Sequence, residues 1–286
     1  MAQPAQGQQR LFPDKFDDTF PVGPEPGNNA FFGLNVLQGL VDGIGDFVNK
    51  RQERWLPRVR LLGPALLGSS VWIEDAELID KISDLDAECV VVKKQGRKPR
   101  EVAKLAKLRA LNSQTPGMPV EAFSALSGLA PKVDGKAAIV GPSTPPYQDP
   151  IPTIRTLGFR STGNNDSPPI LHAKLALLGH LWWHDEDELG HVADVVGFDA
   201  RRLWISSANF TSSSRRNVEF GFWTEDRVLL QGAERFLVKL MGSSEALDPD
   251  SDVFDPELLE VDIDDEAMSE AWSALRELHA DDDDYY

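Results

Sequence analysis

Three short segments hold polar residues whose types and spacing suit work on a phosphate ester. The first is Ile170-Leu171-His172-Ala173-Lys174-Leu175-Ala176-Leu177, the second Trp204-Ile205-Ser206-Ser207-Ala208-Asn209-Phe210-Thr211, and the third Asn217-Val218-Glu219. Side chains alternate along a strand, so His172 and Lys174 leave one face of an apolar strand while Leu171, Ala173 and Leu175 leave the other. A second apolar strand leads into a turn of small residues that presents Ser207 and Asn209. A third places Asn217 and Glu219 on one face, again at a spacing of two. Together they pool an imidazole, an ammonium, a hydroxyl, two amides and a carboxylate. That set supplies a nucleophile or acid, a cation and neutral donors for phosphate oxygens, and an acid to orient the imidazole, all without a metal or other cofactor.

The surrounding pattern places these segments in an α/β protein: a mixed β-sheet flanked by helices on both faces. Residues 1–28 hold five prolines and read as a flexible N-terminal arm. Apolar spacing predicts a helix over 31–48. Strands are predicted at 59–62 and near 71–73, with a turn between them at Gly63, Pro64 and Gly68. A helix over 75–85, a buried strand over 88–93 and a basic amphipathic helix over 101–111 follow. Further short strands are expected at 137–140, 153–160, 170–178, 203–206 and 217–224, then a helix over 231–241. The stretch containing His180, Trp182, Trp183, His184 and His191 reads as a polar insertion on the surface and not as a metal site.

The ordered set His-x-Lys, Ser-Ser-Ala-Asn-Phe-Thr and Asn-Val-Glu resembles the HKD-motif region of the phospholipase D superfamily, with one copy of the motif. The family includes phospholipases, phosphatidyltransferases, metal-independent nucleases and tyrosyl-DNA phosphodiesterases. The resemblance implies that His172 attacks phosphorus to form a phosphohistidine, or acts as the acid partner. It also implies that Lys174 and Asn209 bind the non-bridging oxygens, Ser207 helps orient the phosphate, and Glu219 accepts a hydrogen bond from the imidazole. The family's aspartate, five residues after the lysine, is replaced by Gly179. Family catalysis uses two imidazoles on one phosphate. The five histidines are His172, His180, His184, His191 and His279, and no second His-x-Lys frame exists. The expectation is therefore a homodimer with a composite site, with a heteromeric complex as a further expected partner.

Charge and composition narrow the partner. The net charge of -17 is carried almost wholly by residues 243–286, where 17 acidic side chains meet the single basic Arg276. That segment reads as an acidic C-terminal tail, either solubilising or laid over a basic patch as an inhibitor. The domain itself is expected to span 29–242. Within it Lys93, Lys94, Arg97 and Lys98 open a basic stretch running to Arg109, which would contact a nucleic-acid backbone, with Arg215 and Arg216 beside the phosphate turn. One cysteine excludes a disulfide framework or a zinc ribbon. The chain shows no secretory signal and no apolar run of membrane length, so a cytoplasmic protein without membrane attachment is expected. The reading is a nuclease for DNA or RNA, with a family-level link to nucleic-acid defence or repair. A noncatalytic nucleic-acid-binding scaffold subunit is the alternative, and a lipid hydrolase the third.

Overall fold

The computed structural model describes residues 18–24, 26–50, 59–93, 99–126, 128–133, 136–137, 149–158, 170–185, 194–247 and 255–260, with Ser269 and Ser273. Its centre is a hairpin of two long strands, β8 (Leu175–Asp185) and β9 (Asp194–Ser206), paired from Leu175–Ile205 to Asp185–Asp194. On one side, β10 (Glu219–Thr224), β2 (Asn29–Gly33) and β1 (Asp18–Pro21) extend the antiparallel half. On the other, β3 (Val59–Ser70) joins β8 antiparallel and begins a parallel half with β4 (Ala87–Val92) and β7 (Ile154–Thr156). The strand order is β1-β2-β10-β9-β8-β3-β4-β7.

Helices cover both faces, as the sequence predicts. One face carries α1 (Val36–Asn49), α2 (Ala76–Ser83) and α3 (Pro99–Gln114), whose Leu37, Leu40, Ile44, Leu78, Ile82 and Leu108 meet Leu66, Val90, Leu178 and Trp204 of the sheet. The other face carries α4 (Arg227–Gly242), where Leu230, Leu237, Val238 and Met241 pack with Ala65, Cys89, Leu177 and Leu203. The α1 sequence tolerates glycine at 43 because a Cβ there would enter the Trp223 indole, and the indole N–H donates to the Gly39 carbonyl at 2.9 Å. Around β10, β2 and β1 the outer face holds a row of partly exposed rings: Phe20 on Phe32 at 5.4 Å, and Phe32 on Phe220 at 6.3 Å.

Several expectations are corrected. The arm assigned to 1–28 contains β1, which closes the sheet edge against β2. The helix expected from residue 31 begins at Val36, because Phe31 to Gly33 complete β2 and the chain then turns through Gly33 at φ 122° and left-handed Asn35 at φ 56°. The two strands and turn expected over 59–73 are one strand, β3, in which Gly63 at φ 143° sits at a register shift instead of ending the pairing. The stretch around Trp182 and His184 is not a loop insertion but the far half of β8, and His180 stacks on Phe47 at 4.7 Å. The strand expected at 137–140 begins in β6 (Lys136–Ala137), and its remainder lies outside the described residues.

The charge boundary at 242 is not a structural one. Ser244, Glu245, Leu247 and Leu258 are buried, and β11 (Leu258–Glu260) pairs with β5 (Leu129–Val133) in a second sheet with β6. Buried Arg155 donates to the Ser244 carbonyl at 2.8 Å and to Glu257 at 2.6 Å, while Glu257 also accepts from the Ala246 N–H at 2.8 Å. The first part of the acidic segment is thus an integral piece of the domain. Truncation after Gly242 removes the partners of a buried guanidinium and cannot serve as a clean test of a tail.

Glu88 is a buried carboxyl in the middle of β4, touched by the Thr153 hydroxyl at 3.0 Å, with its second oxygen lacking a partner among the described residues. Burial pushes its pKa up to about 7, against the lowering effect of the Thr153 and Thr115 hydroxyls. A carboxyl raised in the folded state keeps its proton where the unfolded chain has lost it. Its contribution is therefore greatest below about pH 4.5 and is lost as pH rises toward about 7. Across that window the loss is about 3 kcal/mol, at about 1.4 kcal/mol per pH unit. Glu88→Gln is expected to flatten this part of the stability-pH curve and to stabilise the protein at pH 8, read by urea denaturation at several pH values.

Candidate active site

The site lies where β9 ends and β8 and β10 begin, at the carboxyl ends of the parallel strands β3 and β4. This is the edge at which α/β sheets commonly bind ligands. His172 and Lys174 stand just before β8, with the Lys174 carbonyl still accepting from the Ser206 N–H at 3.2 Å. His172 is exposed and Lys174 is buried, and the two side chains meet as their spacing predicts. The Lys174 Nζ lies 3.0 Å from His172 Nδ1, 3.2 Å from Nε2 and 3.0 Å from the His172 carbonyl. Burial lowers the Lys174 pKa, and the nearby Glu219 charge works in the opposite direction. An ammonium with a reduced hydration shell is thus held against an accessible imidazole.

The turn after β9 is built by serines. Ser206 Oγ donates to the Phe220 carbonyl at 2.7 Å and accepts from the Ala208 N–H at 2.9 Å. Ser207 Oγ donates to Glu219 Oε2 at 2.5 Å and accepts from the Phe220 N–H at 3.0 Å. Asn217 Nδ2 reaches the other Glu219 oxygen at 3.4 Å, so the two side chains share a face as expected. In this arrangement Glu219 is engaged by Ser207 and Asn217, where the resemblance had set it against His172. Asn209 Oδ1 is buried and has no hydrogen-bond partner among the described residues. The two ends of an amide are interchangeable in shape, so a half-turn would place Nδ2 at that buried position.

Next in the turn, Phe210 is fully buried and anchors the loop to the segment after β3. Its N–H donates to Ser70 Oγ at 3.1 Å, and its carbonyl accepts from the N–H groups of Glu74 and Asp75 at 2.9 and 3.1 Å. Arg215, expected beside the phosphate, is instead committed to the scaffold. It grips Asp75 with Nε at 2.7 Å and Nη2 at 2.8 Å, reaches Glu77 at 2.9 Å, and donates to Gln38 at 2.5 Å. Burial alone would raise the Asp75 pKa, but the Arg215 bonds and charge, with the Leu78 N–H, hold it below the ordinary value. A guanidinium so fully used has no donors to spare for a ligand. Arg216, next in the chain, is exposed.

Of the basic stretch, Lys93 follows β4 on the same sheet edge, with its ammonium 5.4 Å from the centre of the Trp72 ring. Lys94, Arg97 and Lys98 lie outside the described residues. Ser206, Ser70 and Asp75 were not singled out from sequence. Only Asp75 carried a signal, as an acid directly ahead of a helical run, and it does cap α2 through the Leu78 N–H at 3.1 Å. His180 and His184 sit on β8 away from the site. Seven residues separate His172 from His180, five of them in β8.

No family model matches the chain, and no curated protein matches it. Among solved structures, it is similar to NucT from Helicobacter pylori. That match covers 77% of this chain and 98% of NucT, at 11% identity and a TM-score of 0.44.

Gly179 stands where the resembled motif has aspartate, and the structure leaves no room for one. A Cβ there would lie 2.5 Å from the Asp199 carbonyl oxygen and as close to the Phe198 ring, at the register shift between β8 and β9. Gly179→Asp is therefore expected to cost at least about 3 kcal/mol, through backbone displacement and a buried charge. Thermal denaturation followed by circular dichroism checks this.

Proposed function

We propose that this protein is a metal-independent phosphodiesterase acting on DNA or RNA, with His172 as the group that reacts. The observation that carries the reading is the contact between the buried Lys174 ammonium and the exposed His172 imidazole, with the Asn209 amide and the Ser207–Glu219 pair supplied from neighbouring strand ends. A phosphodiester entering the site would take the ammonium as partner for a non-bridging oxygen and leave the ring free. A His172 nitrogen then attacks phosphorus, and the bond to the leaving alkoxide breaks. Water subsequently displaces the imidazole and releases the phosphate monoester. Lys174 and the Asn209 amide hold the charge that grows on the equatorial oxygens, where fixed donors in a partly desolvated site act most strongly.

The leaving alkoxide needs a proton, and no second imidazole among the described residues is near enough to give it. A homodimer placing two copies of His172 across a twofold axis would meet this need, with the copies exchanging the roles of nucleophile and acid. Arg216 and Lys93, both beside the site, would contact the flanking backbone, and Lys94, Arg97 and Lys98 would extend that contact.

A noncatalytic scaffold is the second reading, favoured by one observation: the Glu219 carboxylate is taken up by Ser207 and Asn217 and does not orient the imidazole. Cleavage of labelled single- and double-stranded DNA and RNA in EDTA separates the two. The expected result is cleavage by a dimeric protein, its mass measured on the same samples, with a loss of at least about a thousandfold in His172→Ala. Salt-sensitive binding with no cleavage by either protein would replace the enzyme with the scaffold. Cleavage by a monomer would remove the composite site.

A further inference from the structure

Trp72 lies at the rim of the site, and the proposed reaction gives it no part. The pairing of β3 with β8 ends at Ser69–Leu175, so the next step along both chains sets Ser70 beside Lys174. Trp72 follows two residues later. Its backbone is fixed by the Ser70 hydroxyl, which donates to the Trp72 carbonyl at 2.9 Å and accepts from the Phe210 N–H at 3.1 Å. Ile73 bridges to Phe210 as well, and Glu74 donates to the Phe210 carbonyl. Trp72 is thereby tied on both sides to the turn that carries Asn209. The parallel pairing of Ser70 with Val92 brings up Lys93, whose ammonium lies 5.4 Å from the centre of the indole ring.

Unlike Trp204 and Trp223, which are almost wholly buried in the core beside α1, Trp72 is only half-buried. A large flat ring on a fixed backbone, beside the proposed phosphate site and with the Lys93 ammonium over one face, has the form of a base-stacking platform whose opposite face would take the base. The exposed phenylalanine row on the outer sheet does not. There Phe20 and Phe32 lie nearly parallel, at 8°, and cover each other's faces.

We propose that Trp72 is a nucleobase subsite, and that the substrate is therefore an unpaired strand whose base beside the bound phosphate stacks on the indole. This rests on the phosphodiester reading of the His172 site and narrows its substrate class. A base within a duplex has both faces occupied by its neighbours and its edge paired. An unpaired base can leave the stack at small cost. Lys93 sits where the phosphate next to that base would pass.

Binding is measured by fluorescence anisotropy with full-length His172→Ala protein, so that the oligonucleotides survive. The probes are a labelled single-stranded octamer, the same octamer with abasic sites flanking the central phosphate, and a duplex. Trp72→Ala is expected to weaken binding of the intact single strand by about 5- to 100-fold, the range for one lost stacked base. Trp72→Phe should recover most of that loss. Binding of the abasic strand and the duplex should be unchanged by either variant. The salt slope should be unaltered by Trp72→Ala and reduced by about one in Lys93→Gln. Equal losses on intact and abasic strands, or none on the intact strand, would overturn the subsite. If the protein neither binds nor cleaves any of the probes, the phosphodiester reading itself fails. Tight binding of all three without dependence on Trp72 removes only the present proposal.

Discussion

The ion pair between Arg215 and Asp75 is the joint on which the site's geometry depends. Asp75 caps α2, and Arg215 reaches it with two nitrogens while also touching Gln38 at the start of α1 and Glu77 in the first turn of α2. The residues between the end of β9 and the start of β10 have no ladder of their own to hold them. They are held at one end by Phe210, buried against the segment after β3, and at the other by this guanidinium. Ser207 and Asn209 lie before these anchors and Glu219 after them. Removing either member of a largely buried pair leaves a charge without its partner, which costs about 3–5 kcal/mol in buried cases and less where, as for Arg215, a fifth of the side chain meets solvent. The effect would spread beyond stability, because the anchors set the distances among the groups that would bind phosphate.

The central hairpin imposes a second constraint. β8 must deliver Lys174 to the sheet edge with its ammonium turned toward the imidazole, which fixes the register of every residue behind it. A slip of one residue would put Lys174 on the side of α4, among Leu177, Leu203 and Leu230. The register shift at Leu178 and Gly179 takes up the mismatch between the two long strands without disturbing the end that carries the site. Gly179 can make that close approach because it has no side chain. In this chain the aspartate of the resembled motif and the packing of Phe198 over the bulge are mutually exclusive.

The chemistry was legible in sequence to the extent that it followed strand alternation and short range. His172 with Lys174, and Asn217 with Glu219, are pairs at a spacing of two, and each is found together in the structure. The α/β layering was legible for a similar reason, since α2 and β4 have clean periods of their own. Long-range partners were not. The pairing of Arg215 with Asp75 spans 140 residues of chain, and an arginine following a phosphate-like turn reads locally as a ligand-binding group. The long strand β3 was divided because Gly63 and Pro64 have the composition of a turn, while the bulge that absorbs them exists only because β8 lies alongside. The acidic segment was set apart because net charge conceals Leu247 and Leu258, two apolar residues that find their contacts in the fold.

The location of charge bears on how the site would work. Apart from the acidic segment the chain is nearly neutral, so it has no strong general field to draw in a polyanion. Attraction must come from local cations, and the most central of these, Lys174, is 7% exposed. Burial weakens the competition from water for that ammonium, making each hydrogen bond to an incoming phosphate oxygen worth more than it would be at the surface. It also lowers the affinity of the amine for its proton, which the Glu219 charge counteracts. Glu219 therefore serves the ammonium even while its hydrogen bonds go to Ser207 and Asn217. The carboxylate that does not orient the imidazole among the described residues is the same one whose charge favours the protonated form of the neighbouring amine, and a single pair of oxygens cannot fully satisfy both demands. A bound phosphate would ease that conflict, because a negative ligand stabilises the ammonium directly and lessens its dependence on Glu219.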